Sequence, residues 1–119
     1  MAKPGDRVLA IRNVDEDTAY VFGSGVYEGD KHPPTGPFGQ TYEEVREVLR
    51  KAGWVIGQIE DYITNYTNPM IRLDNGNVVW GFQCWWGDEE KIAGWVGDRE
   101  LVVVPIEPYY GEPRETEDA

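Results

Sequence analysis

Trp80, Trp85, Trp86 and Trp95 fall within sixteen residues of one another, with Trp54 and Tyr27 elsewhere in the chain. An indole ring offers a large flat contact area and one N–H donor. That suits it to stack on a ligand ring or to anchor a partner. Core packing is the competing use, and it takes Trp80 and at least one more ring. Arg72 and Lys91 stand near this cluster in sequence and bring positive charge to meet a phosphate or carboxylate. The candidate ligand-binding set is therefore Tyr27, Trp85 and Trp86 for stacking, with Arg72 and Lys91 for charge.

Other chemistries find less support. Cys84 and His32 are each the only residue of their kind. A Cys–His pair would need the proline-bearing segment around His32 to fold over the strand that carries Cys84, where a thiol is ordinarily inert packing. One His and one Cys supply no zinc spacing. Asp15-Glu16-Asp17 and Asp88-Glu89-Glu90 lack the alternating ligands of a calcium loop and read as a solvated turn and a helix start. Gly23, Gly25 and Gly29 miss the G-x-G-x-x-G spacing by one residue, and no helix follows them, so a bent strand accounts for them better than a phosphate cradle. No carboxylate pair stands out as an acid–base couple. The expectation is a non-enzymatic protein with no cofactor and no metal.

The elements that must position the aromatic cluster centre on Asn68–Gly87. Two β-forming runs, Met70–Leu73 and Val78–Phe82, flank Asp74-Asn75-Gly76-Asn77, a turn whose Asn and Gly tolerate positive φ. The second run leads into Cys84-Trp85-Trp86. Neighbours on a strand point to opposite faces, so one of the paired rings is expected to look away from the core. Upstream, Arg7–Asn13 reads as a first strand, with Val8, Ala10 and Arg12 on one face and Leu9 and Ile11 on the other. Thr18–Tyr27 reads as a long second strand bent at its glycines. Three prolines make Gly29–Gln40 a loop. Thr41 and Glu44 form a capping box ahead of one clear helix carrying Val45, Val48, Leu49 and Ala52, stopped by Gly53. Residues 54–67 are ambiguous between helix and loop, with Val55, Ile59 and Ile63 as a conceivable helical stripe. Asp88 can cap a short turn over Glu89–Trp95, and Arg99–Ile106 reads as a last strand.

The pattern predicts a mainly β fold of α+β type: a small, bent, SH3-like β-barrel of about five strands, with one α-helix inserted between strands two and three. The expected organisation is one domain over residues 1–107, with the insertion at about 39–68, and an acidic tail over 108–119. At 119 residues and 40% apolar content the chain can bury one core. A single cysteine excludes an intramolecular disulfide. No run of about 18 apolar residues is present, and the first residues lack a signal-peptide core, so a cytoplasmic location without membrane contact is expected. The net charge of −11 repels phosphate backbones and argues against direct nucleic-acid binding. The same acidity suits a basic protein partner, although solubility alone accounts for scattered acids. Edge strands and surplus aromatics are compatible with a homodimer.

Three blocks, GDRVLAIRN, VFGSGVYEGDKHPP and NPMIRLDNGNVVWGFQCWWGDEEKI, together resemble a group of short, mostly uncharacterised proteins encoded in bacteriophage genomes. The likeness covers about half the chain and excludes the helical insertion and the tail. It implies a phage context and, with it, a small protein that counteracts host defence, acting in the host cytoplasm. Two functional expectations follow. One is a binding protein that sequesters a small, nucleotide-derived ligand. The alternative is an acidic inhibitor that engages a basic or nucleic-acid-binding protein.

Overall fold

The computed structural model describes residues 2–36 and 39–106. The tail assigned to 108–119 lies outside them. Residues 2–31 and 68–106 form one compact unit, and residues 32–67 form a second.

The first unit is a six-stranded sheet: β1 (Arg7–Val14), β2 (Thr18–Lys31), β3 (Asn68–Leu73), β4 (Val78–Trp80), β5 (Trp85–Asp88) and β6 (Glu100–Val103). Five strands run in the order β4-β3-β2-β1-β5, all antiparallel, and β6 pairs with β2 in parallel. A single 3-10 turn, Gly81–Gln83, joins β4 to β5. That order and that link make the mainly β, SH3-like arrangement the sequence predicts, with a sixth strand added. β2 is longer than expected and reaches Lys31. Its first half pairs with β6 and its second half with β3, so one bent strand serves both ends of the sheet.

Two features of β2 make the bend. The β1–β2 register slips between Ala10 and Ile11 opposite Gly23, and the β2–β3 register slips between Tyr27 and Gly29. Gly25 has a different role. A Cβ there would sit 2.2 Å from the Arg72 carbonyl oxygen, so only glycine lets β3 come so close. In the β3–β4 hairpin, the Gly76 N–H donates to the Leu73 carbonyl at 2.9 Å and Leu73 N–H to the Asn77 carbonyl at 2.8 Å. Positive φ falls on Gly76 alone, at 93°, and not on the flanking asparagines. Arg7 clamps this turn to β1 through two 2.7 Å bonds to Asp74.

The sheet buries residues on both faces. Val8, Ala10, Phe22, Tyr27, Ile71, Leu73 and Val79 pack on one side, with Trp86 and Cys84 against them. Leu9, Ile11, Ala19 and Val21 pack on the other, under Val96 and Ile92 of α3 (Glu89–Val96). The expected alternation along β1 is thus present. Arg12 falls in a second register slip, between Ile11 and Asn13, and is exposed.

The second unit holds two helices where the sequence marks one clear helix. α1 (Tyr42–Lys51) starts at the expected capping box: Glu44 N–H donates to Thr41 Oγ1 at 3.1 Å, and Thr41 N–H to Glu44 Oε1 at 2.8 Å. α2 (Ile56–Asn65) resolves the ambiguous stretch as helix, despite Gly57, because Ile59 and Ile63 bury against Val45. Arg46 on α1 reaches Glu60 on α2 at 2.8 Å. Val48 is 62% exposed, so the apolar stripe of α1 is narrower than its sequence spacing suggests.

Candidate functional site

β5 decides where the paired rings go. It lies antiparallel to β1, with Trp86 opposite Ala10 and Trp85 opposite Ile11. Alternation therefore sends the two indoles to opposite faces. Trp86 turns inward and stacks on Tyr27 with ring centroids 5.0 Å apart. Tyr27 is buried, and its hydroxyl donates to Asp30 at 2.6 Å, a bond to a carboxylate that holds the phenol above its ordinary pKa. These two members of the predicted stacking set are thus packed on each other. Trp85 turns outward and is 76% exposed.

Beside Trp85 lies a groove of about 600 Å³, lined by Ile11, Asn13, Val14, Trp85, Trp86, Ile92 and Trp95. Its floor is the end of β1 and its far wall is α3. Asp88 caps α3 by accepting from Lys91 N–H at 3.0 Å. Ile92 and Val96, four residues apart, hold the helix to the sheet. Trp95 falls beside that buried stripe, 58% exposed. Arg99 fixes the other end of the helix, donating to the carbonyls of Trp95 and Val96 at 3.2 and 3.0 Å and to that of Asp15 at 2.8 Å. Its guanidinium carbon sits 5.6 Å from the centre of the Trp95 ring, so this indole already carries one cation.

Charge is distributed unevenly around the groove. None of its lining side chains is ionisable. A neighbouring depression that shares Trp95 is lined by Glu16, Asp17 and Asp98 together with Arg99. Of the two cations chosen from sequence, Arg72 lies on β3, three strand steps from β5 across the sheet, and pairs with Glu28 at 3.3 Å. Lys91 is exposed on the first turn of α3, makes no ion pair with a described residue and does not line the groove. The structure therefore brings Trp85 and Trp86 to one groove and leaves Tyr27, Arg72 and Lys91 outside it. The residue sequence reasoning passed over is Trp95. The four-residue spacing of Ile92 and Val96 was the signal that places it on a helix edge.

The remaining candidates resolve as packing. Cys84 is largely buried, its thiol 3.6 Å from the Trp80 carbonyl, and burial pushes its pKa up to about 12. His32 belongs to the helical unit. Its ring stacks on Tyr42 at 5.0 Å, and Nδ1 lies 2.9 Å from the Tyr66 carbonyl, which can only accept, so the proton sits on Nδ1. Asp15 organises its own loop, accepting from the N–H groups of Asp17 and Thr18 at 3.0 and 2.8 Å. Among the described residues no group of three or more His, Cys, Asp and Glu side chains is placed to hold a metal ion, and no helix is long and apolar enough to cross a membrane. Comparison with protein-family models, with curated proteins and with solved structures finds no match for this chain.

Proposed function

We propose that the protein is a non-catalytic binding module that docks a basic protein partner through the groove between Trp85 and Trp95. The observation that carries this reading is the pairing of an apolar groove free of ionisable groups with a strongly acidic chain. Two indole faces and an aliphatic floor suit an apolar or cationic side chain of the partner. The surrounding carboxylates favour basic residues flanking that anchor and speed the encounter. A host-defence protein with a basic, nucleic-acid-binding face fits both requirements.

Peptide display against the wild-type protein and Trp85→Ala tests the proposal. Selected peptides should be basic around an aromatic or aliphatic anchor, lose binding to the variant, and bind more weakly as salt rises. Acidic selected peptides, or equal binding to both proteins, would overturn it.

A second reading, capture of a small nucleotide-derived ligand, is favoured by the open face of Trp85, on which a base can stack. Of the two cations chosen from sequence, Lys91 is the one left to meet its phosphate, because Arg72 is engaged by Glu28 on a distant strand. Thermal-shift screening with cyclic nucleotides and ADP-ribose-type molecules separates the two. A stabilisation abolished by both Trp85→Ala and Lys91→Ala selects this second reading, and a flat response removes it.

A further inference from the structure

We propose that the helical unit carries a binding site of its own for a neutral polyhydroxylated ligand, in chemical terms a sugar ring, on the outer face of α2. This site lies outside the Trp85 groove, and the inference does not rest on the reading of that groove.

A shallow groove of about 600 Å³ runs along α2, walled by Trp54, Tyr62 and Tyr66 and edged by Gln58, Asp61 and Asn65. Helical spacing produces the arrangement. Gln58, Tyr62 and Tyr66 follow one another at four-residue steps, and Asp61 and Asn65 repeat the same step alongside. Ile59 and Ile63 point the other way, into the contact with α1. The three rings hold one another. Trp54 meets Tyr62 edge-on at 5.8 Å, and Tyr62 stacks on Tyr66 at 6.0 Å. Trp54 and Tyr62 remain 39% exposed each, so the platform is fixed and open together.

The polar edge is equally specific. Gln58 Oε1 accepts from Val55 N–H at 3.1 Å, which anchors the amide and leaves its N–H2 group for a ligand. Asn65 Nδ2 donates to the Asp61 carbonyl at 2.9 Å, which leaves the Asn65 amide oxygen as an acceptor. The Asp61 carboxylate makes no ion pair with a described residue. The groove thus presents aromatic faces, an amide donor, an amide acceptor and one carboxylate, and no lysine or arginine lines it.

That inventory selects among ligand classes. Phosphates, sulfates and carboxylates find no counter-charge and meet Asp61 within a chain of net charge −11. An apolar side chain has a better place in the groove at Trp85, whose lining carries no ionisable group. A pyranose ring has an apolar C–H face for the aromatic platform. Its rim of hydroxyls both donates and accepts, and so matches Asp61, Gln58 and Asn65. The carboxylate can accept from two neighbouring hydroxyls at once.

Titration of the 15N-labelled full-length protein with a panel of mono- and disaccharides, followed by NMR, tests this. Adenosine and inorganic phosphate serve as contrasting probes. The expected result is a saturable shift of the Trp54 indole N–H and of the Gln58 and Asn65 side-chain amides with at least one saccharide, while the Trp85 indole stays in place. Tyr62→Ala should abolish the shift. Because that change also removes packing between the rings, Asp61→Asn provides the second arm. It alters an exposed group without an ion pair and should weaken binding about tenfold, the loss of one charge-assisted hydrogen bond. The absence of a saturable shift with every saccharide up to its solubility limit would overturn the proposal. So would a response to phosphate or adenosine in place of sugars, or unchanged affinity in Asp61→Asn. Failure of the Trp85 reading registers separately, in peptide binding and at the Trp85 indole.

Discussion

Replacing each of two adjacent tryptophans by alanine should give opposite results, because β5 sends one into the core and the other into solvent. Trp85 is 76% exposed. A fully buried Trp hides up to about 250 Å², so Trp85 hides about a quarter of that, roughly 60 Å². At about 25 cal/mol per Å² its contacts contribute no more than about 1.5 kcal/mol, and less after allowing for what alanine still covers. Trp86 packs against the Val8–Ile71 cluster and stacks on Tyr27. Truncating a core aromatic costs roughly 3–5 kcal/mol, and the half-buried position of Trp86 puts it at about 3 kcal/mol.

Binding should reverse the order. Trp85→Ala removes an anchor from the proposed partner groove, and loss of a central anchor costs about 2 kcal/mol or more, roughly thirtyfold in affinity. Urea unfolding supplies the stability difference. It is best followed at the methyl groups of Ile71, which is fully buried in the sheet unit, so that the helical unit does not contribute to the signal. Near-UV circular dichroism reports the Tyr27–Trp86 stack, which Trp86→Ala abolishes and Trp85→Ala preserves. Equal destabilisation by the two variants, or loss of the aromatic signal in Trp85→Ala alone, would refute the assignment of faces.

Three further outcomes are expected. Gly25→Ala drives a Cβ into the β3 backbone, 2.2 Å from the Arg72 oxygen and 2.7 Å from Leu73 Cα, and should cost about 3 kcal/mol. Gly94→Ala, inside α3 with nothing within 4 Å of the new Cβ, should instead stabilise by about 0.5–1 kcal/mol; urea midpoints of the two variants check the contrast. Asp74 is held below its ordinary pKa by Arg7, and Glu89 is lowered first by its hydrogen bond from Ser24 and then by Arg7. With folded values below unfolded ones, their contribution to stability is present above the ordinary carboxylate range. It disappears as the pH falls through the folded values. NMR titration of Arg7→Gln should return Asp74 towards its ordinary value and Glu89 less far; unmoved midpoints would contradict the clamp. Cys84, half-buried and with its thiol pushed up to about 12 by desolvation, should react slowly with maleimide at pH near 8 in the folded protein and readily in urea; equal rates in the two states would contradict this.

Sequence reasoning succeeded where the signal was local. The β3–β4 hairpin and the Thr41–Glu44 capping box each depend on a few neighbouring residues, and both form. Alternation along β1 and β5 is equally local, and it correctly required one ring of the Trp85–Trp86 pair to leave the core. Residues 54–67 stayed ambiguous because Gly57 and β-branched residues weaken helix propensity. The burial of Ile59 and Ile63 against Val45 that overrides it is a tertiary fact. The electrostatic half of the site failed for a related reason. Arg72 lies thirteen residues from Trp85 in the chain, yet strand order places β2 and β1 between their strands. Trp95 escaped because its position depends on α3 docking over β1, which the capping signal at Asp88 announces only in part.

The hairpin also separates residue types that the fold accounts for from those it does not. Trp86 fills the space beside Tyr27, and Trp80 is buried, so the core requires large apolar side chains at both positions. Gly25 is required by the approach of β3. Nothing in the sheet requires indole at Trp85. Its side chain stands mostly in water on a four-residue strand that, among the described residues, pairs with β1 alone, a position where a charged residue would serve solubility and guard a strand edge. Trp95 stands in the same position on α3, where Ile92 and Val96 already supply the contact with the sheet. Two large, mostly exposed rings border one groove free of ionisable groups, on a chain of net charge −11. Stability alone would have placed polar residues at both sites. A binding role accounts for that excess, and Trp85→Lys should lower the urea midpoint less than Trp86→Ala does while abolishing peptide capture.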